Sequence, residues 1–304
     1  MPHSIFLAAL ISTYVLSQSM LISLPNGNKV SPEIEQVAYE RNLGLAPQSV
    51  GISKDPQMIA PVIAATSALI LDLNSGTVLH SKDAYDALPI ASLTKIMTAL
   101  LVLEDNRLSE STKISDKAAA MIGKKVWLYP GDTMIVGDLL KTSLIDSASD
   151  ATMALAEFVG GNEKDFVVKM NQKALDLKLA STHFENPIGF DDSDNYSTAY
   201  EMALLTKAAW EYPLFRELVG TKTASVQSAG GTTYKLVNTN ELLSSYLKVY
   251  GVKTGTTAAA GQSLITIGEV DGGRQILTVI LNSPDRYHES KVLFDWAERA
   301  YSFN

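Results

Sequence analysis

A serine and a lysine stand three residues apart in P-I-A-S-L-T-K-I-M-T-A-L-L-V-L-E, the stretch from Pro89 to Glu104. It has the broad apolar face of a buried helix, and on that helix the side chains of Ser92 and Lys95 share a side and can meet. Burying an unpaired ammonium is expensive, so a lysine at this position needs a use. A serine hydroxyl is a weak nucleophile until a base takes its proton. A lysine whose pKa is lowered by burial can serve as that base. The pair requires no histidine, which suits a chain whose histidines, His3, His80, His183 and His288, are scattered. No G-x-S-x-G elbow offers a different nucleophile. A second S-x-x-K does exist, Ser245 with Lys248, and a chain of this length contains about one by chance. On spacing alone the two are equals.

A second chemical stretch is V-K-T-G-T-T-A-A-A-G, Val252 to Gly261, between strand-like runs. Lys253, Thr254 and Gly255 place a cation, a hydroxyl and a residue without a side chain in a row. On a twisted edge strand Lys253 and Thr254 can share a rim, while Gly255 lets a substrate approach closely. The plainer alternative is a glycine-rich turn carrying a solvated lysine.

The elements that must position these groups follow from periodicity and turn residues. Two β-rich runs flank Asn74-Ser75-Gly76 and read as a hairpin. Ala91 to Glu104 reads as a helix with Ser92 near its start. Val136 to Ser147, Ala148 to Val159 and Glu163 to Leu179 also carry helical periodicity. From Thr221 strands return: Lys222 to Gln227, Thr232 to Val237, Val249 to Lys253, Ser263 to Val270 and Gln275 to Leu281. A last amphipathic helix covers about 286 to 301. Strands, then helices, then strands imply an α/β (α+β) fold. The expected core is an antiparallel sheet of about five strands flanked by helices, with an inserted all-helical subdomain at about 105–215.

The chain has 304 residues, 46% of them hydrophobic, enough for a substantial core. A net charge of -8 argues against nucleic acid as a partner. Cysteine is absent, which excludes disulfides, thiol nucleophiles, thiolate metal sites and a lipidated cysteine anchor. The histidines lack metal-ligand spacing, so neither a metal nor another cofactor is expected. Ile5 to Leu16 is a short apolar run followed by Ser17-Gln18-Ser19, which suits a signal peptide or signal anchor at 1–19 and export. The alternative is a buried N-terminal element. Residues 20–60 carry Pro25, Pro32, Pro47 and Pro56 and read as a linker or strap, with the catalytic domain at 61–304.

Several blocks occur in one order: S-L-T-K at 92–95, P-G-D at 130–132, S-A-S-D-A at 147–151, T-H-F-E-N-P-I-G-F at 182–190, S-T-A-Y-E-M-A-L-L at 197–205 and G-V-K-T-G-T-T-A-A-A-G at 251–261. From about Ala64 to Tyr301 the chain resembles the D-alanyl-D-alanine carboxypeptidases, the low-molecular-mass penicillin-binding proteins with a β-lactamase/transpeptidase-like fold. The resemblance implies a serine-type D-Ala-D-Ala carboxypeptidase that trims peptidoglycan stem peptides and is inhibited by β-lactams, in the periplasm or at the outer face of the cytoplasmic membrane. A membrane tether would be possible only through the N-terminal segment. Ser92 would be acylated, with Lys95 as its base. Ser147 would pass the proton toward the leaving amine, with Lys253 nearby. Thr254 would hold the terminal carboxylate, helped by Arg286, and the N–H groups of Ser92 and Thr256 would form the oxyanion hole.

One departure is Ser149, where the family's second motif usually has asparagine. Serine loses the reach and second donor of an amide but can still contact substrate or Lys95. Asp150 is expected to cap or pair rather than catalyse, and Trp127, Tyr129 and Tyr246 to line a cleft or the core. Alternatives within the fold are a DD-endopeptidase, a β-lactamase, for which no E-x-x-L-N segment is present, and a catalytically weak peptidoglycan-binding homologue.

Overall fold

The structure is a computed structural model and describes residues 51–303. The expected signal segment and most of the expected strap lie outside them. The last residues assigned to the strap belong to the folded unit, because Ile52–Lys54 pairs antiparallel with Tyr301–Phe303.

Five antiparallel strands form the central sheet, in the order Val249–Thr257, Gly261–Val270, Arg274–Ser283, Ser67–Asp72 and Val78–Lys82. Ser67–Asp72, S-A-L-I-L-D, is buried at every residue because helices cover both faces. A strand enclosed on both sides has no solvent face to make polar, so its sequence does not alternate. On one face Ile70, Ile276 and Ile280 pack with Leu293, Phe294 and Trp296 of the C-terminal helix, Arg286–Ala300. On the other face lies the helix Ala199–Trp210.

The Lys95 helix, Lys95–Asp105, packs against Ala199–Trp210 and is buried from Lys95 to Leu103. It ends at Asn106, whose φ of 57° is the left-handed conformation that stops a helix. The insertion continues with helices Val136–Ile145, Ser149–Gly160 and Glu163–Asp176. It is helical except for small pieces, chiefly the ribbon pairing Ser111–Lys113 with Thr133–Ile135.

Two boundaries differ from the sequence reading where the chemistry lies. The strand begun at Val249 runs through Thr257, so K-T-G lies within the ladder rather than in the following turn. Gly255 continues the register by pairing with Ser263, which periodicity could not reveal. Ser147 is not helical. With φ of 62° it forms the break between Val136–Ile145 and Ser149–Gly160.

Candidate active site

Ala91–Thr94 forms one 3-10 turn that leads into the Lys95 helix. Within it Ala91 has φ of 48°, a conformation costing a non-glycine residue roughly 1–3 kcal/mol and held only by its surroundings. Those surroundings are two glycines. A Cβ on Gly189, itself at φ +84°, would stand 1.9 Å from the Ala91 carbonyl oxygen. A Cβ on Gly255 would stand 2.9 Å from the Ile90 carbonyl oxygen and 3.3 Å from Leu93. The edge strand approaches the Ser92 turn there, and a side chain would push the two apart.

Ser92 is half-buried, and the Lys95 ammonium donates to its Oγ at 2.8 Å. Lys95 also donates to the Ile188 carbonyl at 2.9 Å and is 1% exposed. Burial lowers its pKa to about 7, partly opposed by Asp150 and reinforced by Lys124. A neutral amine beside a hydroxyl is the state a general base needs. The Ile188 carbonyl comes from the N-P-I-G-F block, whose turn is tied by the Asn186 side-chain oxygen accepting from Ile188, Gly189 and Phe190 N–H groups.

Lys253 is equally enclosed, and its pKa is pushed well below the usual lysine range by burial first, then by the charges of Lys95, Lys124 and Arg286. Thr254 is 5% exposed, with its hydroxyl 2.6 Å from that of Thr239. Thr256 is exposed at the end of the row. Arg286, at the start of the C-terminal helix, donates to the Gly255 carbonyl at 2.9 Å and to Thr256 Oγ1 at 2.6 Å. It therefore braces the K-T-G-T row.

Ser147 and Ser149 are both buried, on either side of the break that opens the Ser149 helix. Ser149 N–H donates to the Lys124 carbonyl at 2.8 Å. Asp150 accepts from Leu128 N–H at 3.0 Å and Val126 N–H at 3.4 Å, so it clamps the backbone around Trp127. Trp127, Tyr129 and Tyr246 are all exposed, so none of the three belongs to the core, and Tyr246 donates to Asp295 of the C-terminal helix.

The second S-x-x-K has none of this chemistry. Ser245 Oγ donates to the Leu242 carbonyl, and Lys248 pairs with Glu269 at 2.6 Å in solvent. The Glu269 carboxylate raises the Lys248 pKa, the opposite of what a base requires. Equal spacing thus leads to opposite environments. Sequence reasoning missed Lys124, Asp146 and Thr239, which are far from their partners along the chain and belong to no motif.

The sheet, the Ser92 turn and the K-T-G edge define the fold of the penicillin-binding DD-peptidases. Solved relatives include a Streptomyces DD-transpeptidase, at 29% identity with a TM-score of 0.74, covering 78% of this chain and 98% of the other. A D-alanyl-D-alanine carboxypeptidase from Mycobacterium tuberculosis is 29% identical with a TM-score of 0.75, covering 81% and 95%. The chain belongs to the D-alanyl-D-alanine carboxypeptidase family, whose sequence model matches residues 54–285. It is 36% identical over 244 residues to the carboxypeptidase DacF of Bacillus subtilis and 35% over 265 residues to DacC of Escherichia coli. These matches cover 78% and 80% of this chain, but the chain spans only 63% of the length of each relative.

Proposed function

We propose that the protein is a serine-type D-Ala-D-Ala carboxypeptidase acting on peptidoglycan stem peptides outside the cytoplasm, through an acyl-enzyme on Ser92. The observation that carries this reading is the enclosed Lys95 amine, 2.8 Å from Ser92 Oγ with a pKa of about 7. Family membership supplies the substrate class.

In the proposed reaction Lys95 Nζ takes the hydroxyl proton as Ser92 Oγ bonds to the carbonyl carbon of the penultimate D-Ala. The carbonyl oxygen becomes an oxyanion facing the N–H groups of Ser92 and Thr256. The proton passes by way of Ser147, with Lys253 beside it, to the amide nitrogen of the terminal D-Ala. The C–N bond then breaks, leaving an ester on Ser92 and releasing D-alanine. Water then attacks the ester carbonyl carbon as Lys95 takes one of its protons, the bond from that carbon to Ser92 Oγ breaks, and Lys95 hands the proton to Ser92 Oγ as the shortened peptide leaves with a free carboxyl group. Thr254 holds the terminal carboxylate, and Arg286 supports it through the Gly255 carbonyl and Thr256. β-Lactams occupy the same place and acylate Ser92.

The test is D-alanine release from a blocked peptide ending in D-Ala-D-Ala. Release by the native protein that is lost in Ser92→Ala supports the reading. No release by a folded native protein, with no acylation either, overturns it.

A further inference from the structure

Lys124 belongs to none of the motifs, yet it is bonded to both ends of the Ser147 turn. Its ammonium is 3.3 Å from Asp146 Oδ1, the residue before Ser147. Its carbonyl accepts from Ser149 N–H at 2.8 Å, two residues after Ser147. Asp146 is fixed from its other side by Val237 N–H, which donates to Oδ2 at 3.1 Å. The turn between them contains a non-glycine residue at φ of 62°, a conformation that persists only when its neighbours impose it. The Lys124 side chain is 49% exposed, whereas Asp146, which it pairs with, is largely enclosed.

We propose that Lys124 is a positioning residue for acylation, holding the Ser147 turn by one ion pair and one backbone bond. The inference rests on the carboxypeptidase reading above. The charged groups around Lys95 are Asp150 from the Ser149 helix, Lys253 from the edge strand and Lys124 from the loop before Trp127. Lys253 additionally faces Arg286 and Asp146. Asp150 favours the protonated form of Lys95 and Lys124 opposes it, so removing the Lys124 charge makes Lys95 harder to deprotonate.

The test is the second-order rate of acylation by a chromogenic cephalosporin between pH 5.5 and 9.5, for the native protein, Lys124→Met, Lys124→Arg and Asp146→Asn. For Lys124→Met the acid limb should move up by about half a pH unit, a modest charge effect. Its rate on the alkaline plateau should fall about fivefold, the effect of a displaced turn. Lys124→Arg should restore both to within about twofold, since it keeps charge and ion pair. Asp146→Asn keeps the charge and breaks the pair, so the plateau should fall without an upward shift of the limb. A Lys124→Met protein with the native limb and plateau overturns the proposal. So does an unshifted limb in that variant with any loss shared equally by Lys124→Arg. Should Lys124→Met not fold, an Asp146→Asn plateau equal to the native one has the same force. No acylation of the native protein overturns the carboxypeptidase reading, and this inference with it.

Discussion

Lys95 bonds the Ser92 hydroxyl and the Ile188 carbonyl, neither of which carries a charge. Its folded pKa of about 7 lies below the unfolded value of about 10.4. The unfolded chain therefore binds this proton more tightly, and the enclosed lysine lowers stability. The penalty is fully present below about pH 7, fades as pH rises, and is gone above about pH 10.4. At its largest it is about 5 kcal/mol, from the difference between those two values. Lys95→Met removes the penalty along with the base. Thermal melts should show this variant more stable than the native protein at pH 7, with the gap closing toward pH 10, while acylation is lost. In the native protein the acylation rate should rise with pH through about 7, as Lys95 loses its proton. An acid limb far from that value would separate Lys95 from the role of base.

At the scale of elements, the Ser92 turn is held between two segments from other parts of the chain. Gly189→Ala would put a methyl group 1.9 Å from the Ala91 carbonyl and force a side chain into φ +84°. Backbone must move on one side or the other, at a cost of about 3 kcal/mol. The acylation rate should fall by at least tenfold, beyond what the lower melting temperature explains, because Ser92 moves with the turn. Helical spacing, being local, made Ser92–Lys95 and Ser245–Lys248 legible as equal candidates, and only the order of the blocks, with K-T-G among them, favoured the first. The close approach of Gly255 to the Ser92 turn was not legible, since the atoms it meets are at Ile90 and Leu93. The extent of its strand and the break at Ser147 were also hidden. Each is decided by partners remote in sequence, and periodicity reports only burial along a single element.

At the scale of the molecule, the sheet is the frame that brings residue 92 and residue 253 together. Asp72, the last residue of its strand, ties it to Arg274 at the start of the neighbouring strand. Its carboxylate is fully enclosed, with Arg274 donating at 2.6 and 2.7 Å and Ser75 N–H at 2.7 Å. Burial pushes its pKa up, but the Arg274 fork and Ser75 outweigh that and hold it below the usual carboxylate value. A depressed carboxylate stabilises above its unfolded pKa of about 4 and loses that contribution as pH falls through the folded value. Arg274→Met should cost about 3 kcal/mol at pH 7 by leaving the buried charge unpaired. The difference in melting temperature should narrow below about pH 4 as Asp72 becomes protonated. Well below the melting point its acylation rate should match the native one, because Arg274 lies two strands over from Lys253 and five residues along from Val279, which lines up with Lys253 through Ile265.

The most direct test of the whole account is intact mass after incubation with benzylpenicillin, for the native protein, Ser92→Ala and Ser245→Ala. One covalent adduct is expected in the native protein and in Ser245→Ala, and none in Ser92→Ala. An adduct that survives Ser92→Ala, or a folded native protein that forms none, would contradict it.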